Sequence, residues 1–135
     1  MKLKNNRALG RHLVAEFFEC LPEALDDIDF VVQTMREAAV VAGATIVDTS
    51  FHRFLPHGIS GVVVIAESHL TIHTWPEYEY AAIDLFTCGD EVHPWKAFDY
   101  LRKKLKSSRT DVTEHSRGKY SDIGVPEGSP HKIAT

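Results

Sequence analysis

The spacing of apolar residues along the chain predicts two helices and six strands. Apolar residues recur at three- and four-residue steps over residues 27–42, as on one face of an α-helix, and Gly43 suits the left-handed residue that ends many helices. A second apolar stripe follows Pro94, which fits a first helical turn, and continues to Leu105. The predicted strands are residues 10–19, 44–54, 61–66, 69–75, 80–88 and 110–116. The element order is therefore β-α-β-β-β-β-α-β, and we expect the polar tail from Gly118 to be loosely ordered.

This element order predicts a single α+β domain over residues 1–135. Consecutive strands with short links favour antiparallel pairing, although they leave the order of strands in the sheet open. Two helices can cover one sheet face, which gives a two-layer α/β sandwich. The other face is expected to carry aromatic and reactive side chains, among them Phe54, His73, Trp75, Phe86 and Cys88. A bare face of this kind predicts a dimer in which two sheets stack as αββα.

Composition and charge narrow the classes of function. The 135 residues carry a net charge of −4, and the basic run at residues 102–106 falls on the solvated side of the second predicted helix. A general nucleic-acid-binding protein normally has a basic patch or a high pI, so we expect no nucleic-acid partner. We also expect no membrane helix, which needs ~20 apolar residues, and see no signal peptide. A cytoplasmic protein with Cys20 and Cys88 as free thiols is the prediction.

The junction between two predicted strands, AESHLTIHTW, is unusual for a turn. Turns usually contain Gly, Asn, Asp or Pro, whereas Glu67 and Ser68 stand here. The simplest interpretation is a strand-end serine that bonds to the backbone. A hydrolase nucleophile would usually sit in a G-x-S-x-G turn, which the flanking Glu and His do not form. A third hypothesis is that Ser68 attacks the carbonyl of Glu67 and converts the peptide bond to an ester.

The third hypothesis needs a base and leads to a new functional group. Removal of the Ser68 α-proton would eliminate the upstream chain, and the dehydroalanine left behind would hydrolyse to an N-terminal pyruvoyl group. His73 could be the base, because an ordinary histidine pKa is about 6.5. Cys88 could be a proton donor, because an ordinary thiol pKa of about 8.5 keeps it mostly protonated at neutral pH. Taken singly, Cys88 could equally be a buried filler, and Ser60 a turn serine.

We predict no metal site. His69 and His73 share a strand face, but four residues of strand span ~13 Å, too far for one ion. The chain contains neither H-E-x-x-H nor C-x-x-C.

Taken together, three segments carry a family resemblance: GRHLVAEF, then GATIVDTSFHRFLPHGISGVVVIAESHLTIHTWPEYEYAAIDLFTCGD, then PWKAF. They resemble the short prokaryotic form of S-adenosylmethionine decarboxylase, over roughly residues 10–131. The segments ESHLTIHTWPE and DLFTCG are the most specific to that family.

The resemblance implies a proenzyme that cleaves itself between Glu67 and Ser68. A β chain of residues 1–67 and an α chain of residues 68–135 would result, with a covalent pyruvoyl group in place of Ser68. The family also implies a homodimer of αβ protomers with facing sheets.

Individual roles follow from the same resemblance. His73 matches the proton acceptor of self-processing, with help from Ser60, and Cys88 matches the proton donor in catalysis. Phe54 and Glu77 match positions that stack on adenine and hold the ribose of the substrate.

The implied enzyme is a carboxy-lyase. The pyruvoyl ketone would form a Schiff base with S-adenosylmethionine and accept electrons as CO₂ leaves, and the product would donate aminopropyl groups for spermidine biosynthesis. Two alternatives stay open: a pyruvoyl-dependent arginine decarboxylase of the same family, and an unprocessed, non-catalytic homologue. Only Phe54 and Glu77 favour a nucleoside substrate over arginine.

Overall fold

One sheet of six antiparallel strands organises the part of the chain that the computed structural model describes, residues 7–124. The strands are β1 (Ala8–Phe18), β2 (Thr45–Arg53), β3 (Ile59–Ala66), β4 (Ser68–Trp75), β5 (Tyr80–Cys88) and β6 (Arg109–Lys119). The α-helices are α1 (Pro22–Leu25), α2 (Ile28–Val41), α3 (Pro94–Lys104) and α4 (Tyr120–Ile123), and a 3₁₀ turn spans Pro76–Tyr78. The predicted α+β sandwich is confirmed.

The order of strands across the sheet is β2-β3-β4-β5-β1-β6. Strands β2 to β5 follow one another as a meander, with each pair antiparallel. The first strand, β1, then lies between β5 and β6 and pairs antiparallel with both. The N-terminal strand is therefore flanked on both sides by strands from the second half of the chain.

The two long helices form where the apolar pattern predicts them. The carboxylate of Asp27 accepts a hydrogen bond from Phe30 N at 3.1 Å and so caps the start of α2. Gly43, with φ of +86°, follows its end. Pro94 occupies the first turn of α3, and the side chains that face the sheet from both helices are buried.

Alternation along the strands separates a core face from an open face. On β4, Leu70 and Ile72 are at most 1% exposed and pack in the core beneath the helices. His73 and Trp75 point to the other side and are exposed. The two predicted faces of this strand are thus confirmed, and the aromatic and reactive groups lie on the face away from the core.

The structure differs from the predicted elements mainly at the ends. Helix α1 is too short to show an apolar period, which is why the sequence does not reveal it. Strand β6 continues to Lys119, opposite Ala8, so the prediction of a loose tail from Gly118 is wrong as far as residue 124. The β1–β6 ladder orders this segment despite its polar sequence. The remainder of the predicted tail lies outside the described residues. No helix within residues 7–124 is long and apolar enough to cross a membrane.

Candidate active site

The link between β3 and β4 is a single residue. Ala66 ends β3, Ser68 begins β4, and Ile65 pairs with Ser68 across the hairpin. Ser68 has φ of +120°, a backbone conformation that residues other than glycine rarely adopt. Such a conformation costs roughly 1–3 kcal/mol and persists only where the surrounding structure enforces it. The backbone at Ser68, next to the Glu67–Ser68 bond, is therefore strained at the end of this hairpin.

Ser68 and Cys88 lie side by side on β4 and β5. The Ser68 Oγ atom is 3.1 Å from Cys88 Sγ, and either group can be the donor. Gly10 on β1 leaves room for this pair, because a Cβ atom there would lie 3.2 Å from Cys88 Sγ and 2.5 Å from the Phe86 ring. A hydroxyl and a thiol thus meet at one end of β4.

A second pair forms at the opposite end of β4. Ser60 on β3 is directly opposite His73 in the ladder, and its Oγ atom lies 2.8 Å from His73 Nδ1. The hydroxyl orients the imidazole, whose other face is open to solvent because His73 is exposed. This arrangement suits a histidine that takes up or releases a proton.

The two pairs are separate within one chain. Ser68 and His73 are five residues apart on the same strand, which corresponds to ~16 Å. General-base catalysis needs hydrogen-bond reach, about 3 Å or one intervening water. The structure therefore brings Ser68 together with Cys88, and His73 together with Ser60, but does not bring His73 to Ser68 of the same chain.

The predicted substrate-binding residues lie at the His73 end of the sheet. Phe54 follows β2 directly and is 47% exposed. Glu77 follows β4, and its Oε1 atom is 3.1 Å from His57 Nε2. Phe54 and Glu77 thus follow strands that end on the side of the sheet where Ser60 and His73 lie.

A carboxylate fastens the loop that carries Phe54 and His57. Asp26 accepts a hydrogen bond from the backbone N–H of Gly58 at 3.0 Å and from the Arg53 guanidinium at 2.7 Å. The Gly58 N–H, followed by Arg53, holds the pKa of Asp26 below its ordinary value. The loop is therefore tied to the segment before α2 through an ionised carboxylate.

The centre of the open face is a cluster of charged and aromatic groups. His12 Nε2 lies 3.3 Å from Asp84 Oδ1, and the Arg117 guanidinium contacts the other nitrogen of His12 at 3.1 Å. His12 and His69 both pack against the ring of Phe86. Burial, and then the neighbouring His12, lower the pKa of His69, which favours its neutral form.

The two cysteines occupy different environments. Cys20 is 2% exposed, donates to Phe17 O at 3.6 Å, and burial raises its pKa to about 11. Cys20 is therefore a buried residue of the hydrophobic core, with a free thiol as predicted. Cys88 is only half-buried and faces Ser68.

The chain matches a known protein family over most of its length. The model of a protein family described as S-adenosylmethionine decarboxylase matches residues 11–118. The chain belongs to the S-adenosylmethionine decarboxylase family. An S-adenosylmethionine decarboxylase proenzyme of Thermotoga maritima is 66% identical over 128 residues, which cover 95% of this chain and 98% of that protein. The corresponding proenzyme of Thermosipho melanesiensis is 65% identical over 127 residues, 94% of this chain and 98% of that protein.

A solved structure shares the fold. The crystal structure of the adenosylmethionine decarboxylase from Aquifex aeolicus matches with a TM-score of 0.80 at 32% sequence identity. The match covers 93% of this chain and 99% of that one. Family membership thus extends through the sheet that carries both candidate pairs.

Two residues at the candidate site have no distinguishing signal in the sequence. Gly10 reads as an ordinary glycine before a strand, yet its missing side chain makes room for Phe86 and Cys88. Thr87 reads as an alternating strand residue, yet it lies directly opposite Ser68 in the β4–β5 ladder. Only strand register reveals either position. Within residues 7–124, no cluster of histidine, cysteine or acidic side chains is arranged to hold a metal ion.

Proposed function

We propose that the chain is a self-processing, pyruvoyl-dependent S-adenosylmethionine decarboxylase, a carboxy-lyase that makes decarboxylated S-adenosylmethionine for spermidine biosynthesis. The observation that carries the proposal is Ser68: it has φ of +120°, stands at a one-residue hairpin link, and its hydroxyl meets Cys88. The relatives of the chain are named proenzymes, which is consistent with a serine that is consumed in processing.

Self-processing would proceed through two steps on the chain itself. In the first, Ser68 Oγ adds to the carbonyl carbon of Glu67, the C–N bond breaks, and the hydroxyl proton passes to the freed amine. In the second, a base removes the Ser68 α-proton, the Cβ–Oγ bond of Ser68 breaks, and residues 1–67 leave with Oγ in their terminal carboxylate. Water then replaces the nitrogen of residue 68 and releases ammonia. Relief of the strained backbone at Ser68 favours the first step.

The base is best supplied by a second copy of the chain. Ser68 meets Cys88 at one end of β4, whereas the oriented Ser60–His73 pair lies at the other end of the same strand. A two-fold dimer through the open faces would place the Ser60–His73 pair of one protomer on the Ser68–Cys88 pair of its partner, and the reverse. The same stacking would cover the His12–Asp84 cluster and give the αββα arrangement.

Decarboxylation would use the same residues after cleavage. Once formed, the pyruvoyl group at position 68 supplies a ketone that withdraws electrons from a bound amino acid as CO₂ leaves. Cys88 lies beside this position and would return a proton to the α-carbon of the substrate. Phe54 and Glu77, at the His73 end, would stack on adenine and accept hydrogen bonds from the ribose across the dimer interface.

Intact-mass measurement of the purified protein tests self-processing. We expect two chains that correspond to residues 1–67 and 68–135, with the second blocked to Edman degradation. The variant Ser68→Ala should remain a single full-length chain and should release no CO₂ from S-adenosylmethionine. A wild-type chain that stays intact after long incubation would favour the non-catalytic homologue instead.

Substrate choice needs its own assay. Carboxyl-labelled S-adenosylmethionine should release CO₂, whereas labelled arginine should release little. The reverse ratio would assign the chain to arginine, with the same pyruvoyl chemistry.

A further inference from the structure

A buried hydroxyl beside the candidate scissile bond has no partner. Thr87 is 1% exposed, and its Oγ1 atom makes no hydrogen bond within residues 7–124. Buried side-chain hydroxyls nearly always bond to something, since an unsatisfied one destabilises the folded state. By contrast, the buried hydroxyl of Thr74 on the neighbouring strand bonds to Leu25 O and Ile59 N. Thr87 is thus the buried hydroxyl that lacks a hydrogen-bond partner among the described residues.

Register places this hydroxyl at the cleavage site. Thr87 and Ser68 are directly opposite in the β4–β5 ladder, where paired Cα atoms lie about 5 Å apart. Along β5, Thr87 alternates with Cys88, so its side chain points to the helix-covered layer while Cys88 points to the open face. A dimer partner on the open face therefore cannot satisfy the Thr87 hydroxyl.

We propose that the Thr87 hydroxyl donates a hydrogen bond to the acyl oxygen of Glu67 while the peptide bond becomes an ester. This inference rests on the self-processing proposed above. Ser68 Oγ lies on the Cys88 side of the ladder. A nucleophile that adds to a carbonyl from one side pushes the oxygen toward the other, so attack from the Cys88 side would move the Glu67 oxygen toward the helix-covered side, where Thr87 has a hydroxyl to donate. Thr87 gives up no proton in this step; it stabilises the negative charge that forms on the oxygen.

The variant Thr87→Val tests the role with little change in shape. Freshly synthesised chains are followed by intact mass, and we expect the two cleaved chains to appear about 10- to 100-fold more slowly than in the wild type. Thr87→Ser keeps a hydroxyl and should restore the rate to within a few-fold. Thr34→Val is the matched control, because Thr34 is equally buried at 3% exposed but belongs to α2, outside the ladder. It should leave the rate unchanged.

Stability separates this role from a structural one. Because Thr87→Val removes an unsatisfied hydroxyl, adding it to the uncleaved Ser68→Ala variant should leave the melting temperature equal or higher. A purely structural threonine would instead lose stability and processing together.

Hydroxylamine assigns the step, since it cleaves esters and leaves peptide bonds intact. In a His73→Ala background, where elimination is blocked, the ester should accumulate and be cleaved by hydroxylamine. Adding Thr87→Val should slow ester formation by the same factor as it slows processing. If Thr87→Val is cleaved at the wild-type rate, the inference is overturned and the proposed function stands. If the wild-type chain never cleaves, both are overturned.

Discussion

The two ends of β4 carry different parts of one chemistry. At its start, Ser68 is strained and meets Cys88, and His73 of the same chain is ~16 Å away along the strand. At its end, His73 is oriented by Ser60 and exposed on the open face, far from the Glu67–Ser68 bond of its own chain. In the proposed mechanism, the strand therefore separates the serine that forms the ester from the base that removes its α-proton. If the proposed self-processing holds, one protomer cannot bring its own His73 to its own Ser68, and we predict that processing requires a dimer.

The largest expected effect comes from placing the Ser68→Ala and His73→Ala substitutions on different chains of one dimer. Ser68→Ala and His73→Ala should each leave the chain uncut when expressed alone. In a mixed dimer, the His73→Ala chain keeps its serine and receives the histidine of its Ser68→Ala partner, so only the His73→Ala chain should be cut. Intact mass of isolated heterodimers, with tags of different mass, measures this directly.

The control for the mixed dimer is His93→Ala. His93 is an exposed histidine before α3, on the helix side, and its loss should leave processing unchanged. If the mixed dimer of Ser68→Ala and His73→Ala shows no cut chain at all, the base acts within one chain, and the comparison between the two strand ends fails.

The variant Cys88→Ala separates self-cleavage from decarboxylation at the Ser68 end of β4. Cys88→Ala should still cleave itself, because Ser68 supplies the nucleophile, but should decarboxylate about 100-fold more slowly or worse, since a positioned proton donor contributes about that much. CO₂ release per cleaved α chain is the measurement. Cys20→Ala, which removes a buried thiol distant from Ser68, should lower the melting temperature and keep the turnover per folded molecule. Normal turnover in Cys88→Ala would remove that thiol from catalysis.

The variant Asp26→Asn tests the loop near the His73 end of β4, with a smaller expected effect on stability and KM. Asp26→Asn weakens the ties to Gly58 and Arg53, so at pH 7 we expect a melting temperature lower by about 3 °C and a KM raised a few-fold through the Phe54 loop. The lowered pKa of Asp26 stabilises the fold above the ordinary carboxyl range, and this contribution is lost as pH falls through the lowered value. The difference between wild type and variant should therefore shrink in acid.

The pH series has its own control. Asp29→Asn changes an exposed carboxylate in the first turn of α2. Its melting temperature should differ less from that of the wild type, and its KM should be unchanged. A KM unchanged in Asp26→Asn would show that the loop does not position the substrate.

Local pattern in the sequence was enough for the long elements and for the chemically distinctive residues. The apolar stripe of α2, the alternation of β4 and the unusual Glu67–Ser68 junction are all local signals. The position of β1 between β5 and β6 is not local, because it depends on pairing between distant segments. For the same reason the sequence placed Ser68 and His73 near each other, and gave no sign of Gly10 or Thr87, whose importance lies in what stands opposite them.

The interleaved strand order has a consequence for the lifetime of the molecule. A cut at Glu67–Ser68 would leave β1, β2 and β3 in one fragment and β4, β5 and β6 in the other. Yet β1 is threaded between β5 and β6, and β3 is paired with β4. The fragments would share one continuous hydrogen-bonded sheet, so they could not drift apart without dismantling it. Folding must then precede cutting. Two halves supplied as separate polypeptides would each lack the strands that pair with them in the intact sheet: β1 would lack β5 and β6, and β4 would lack β3.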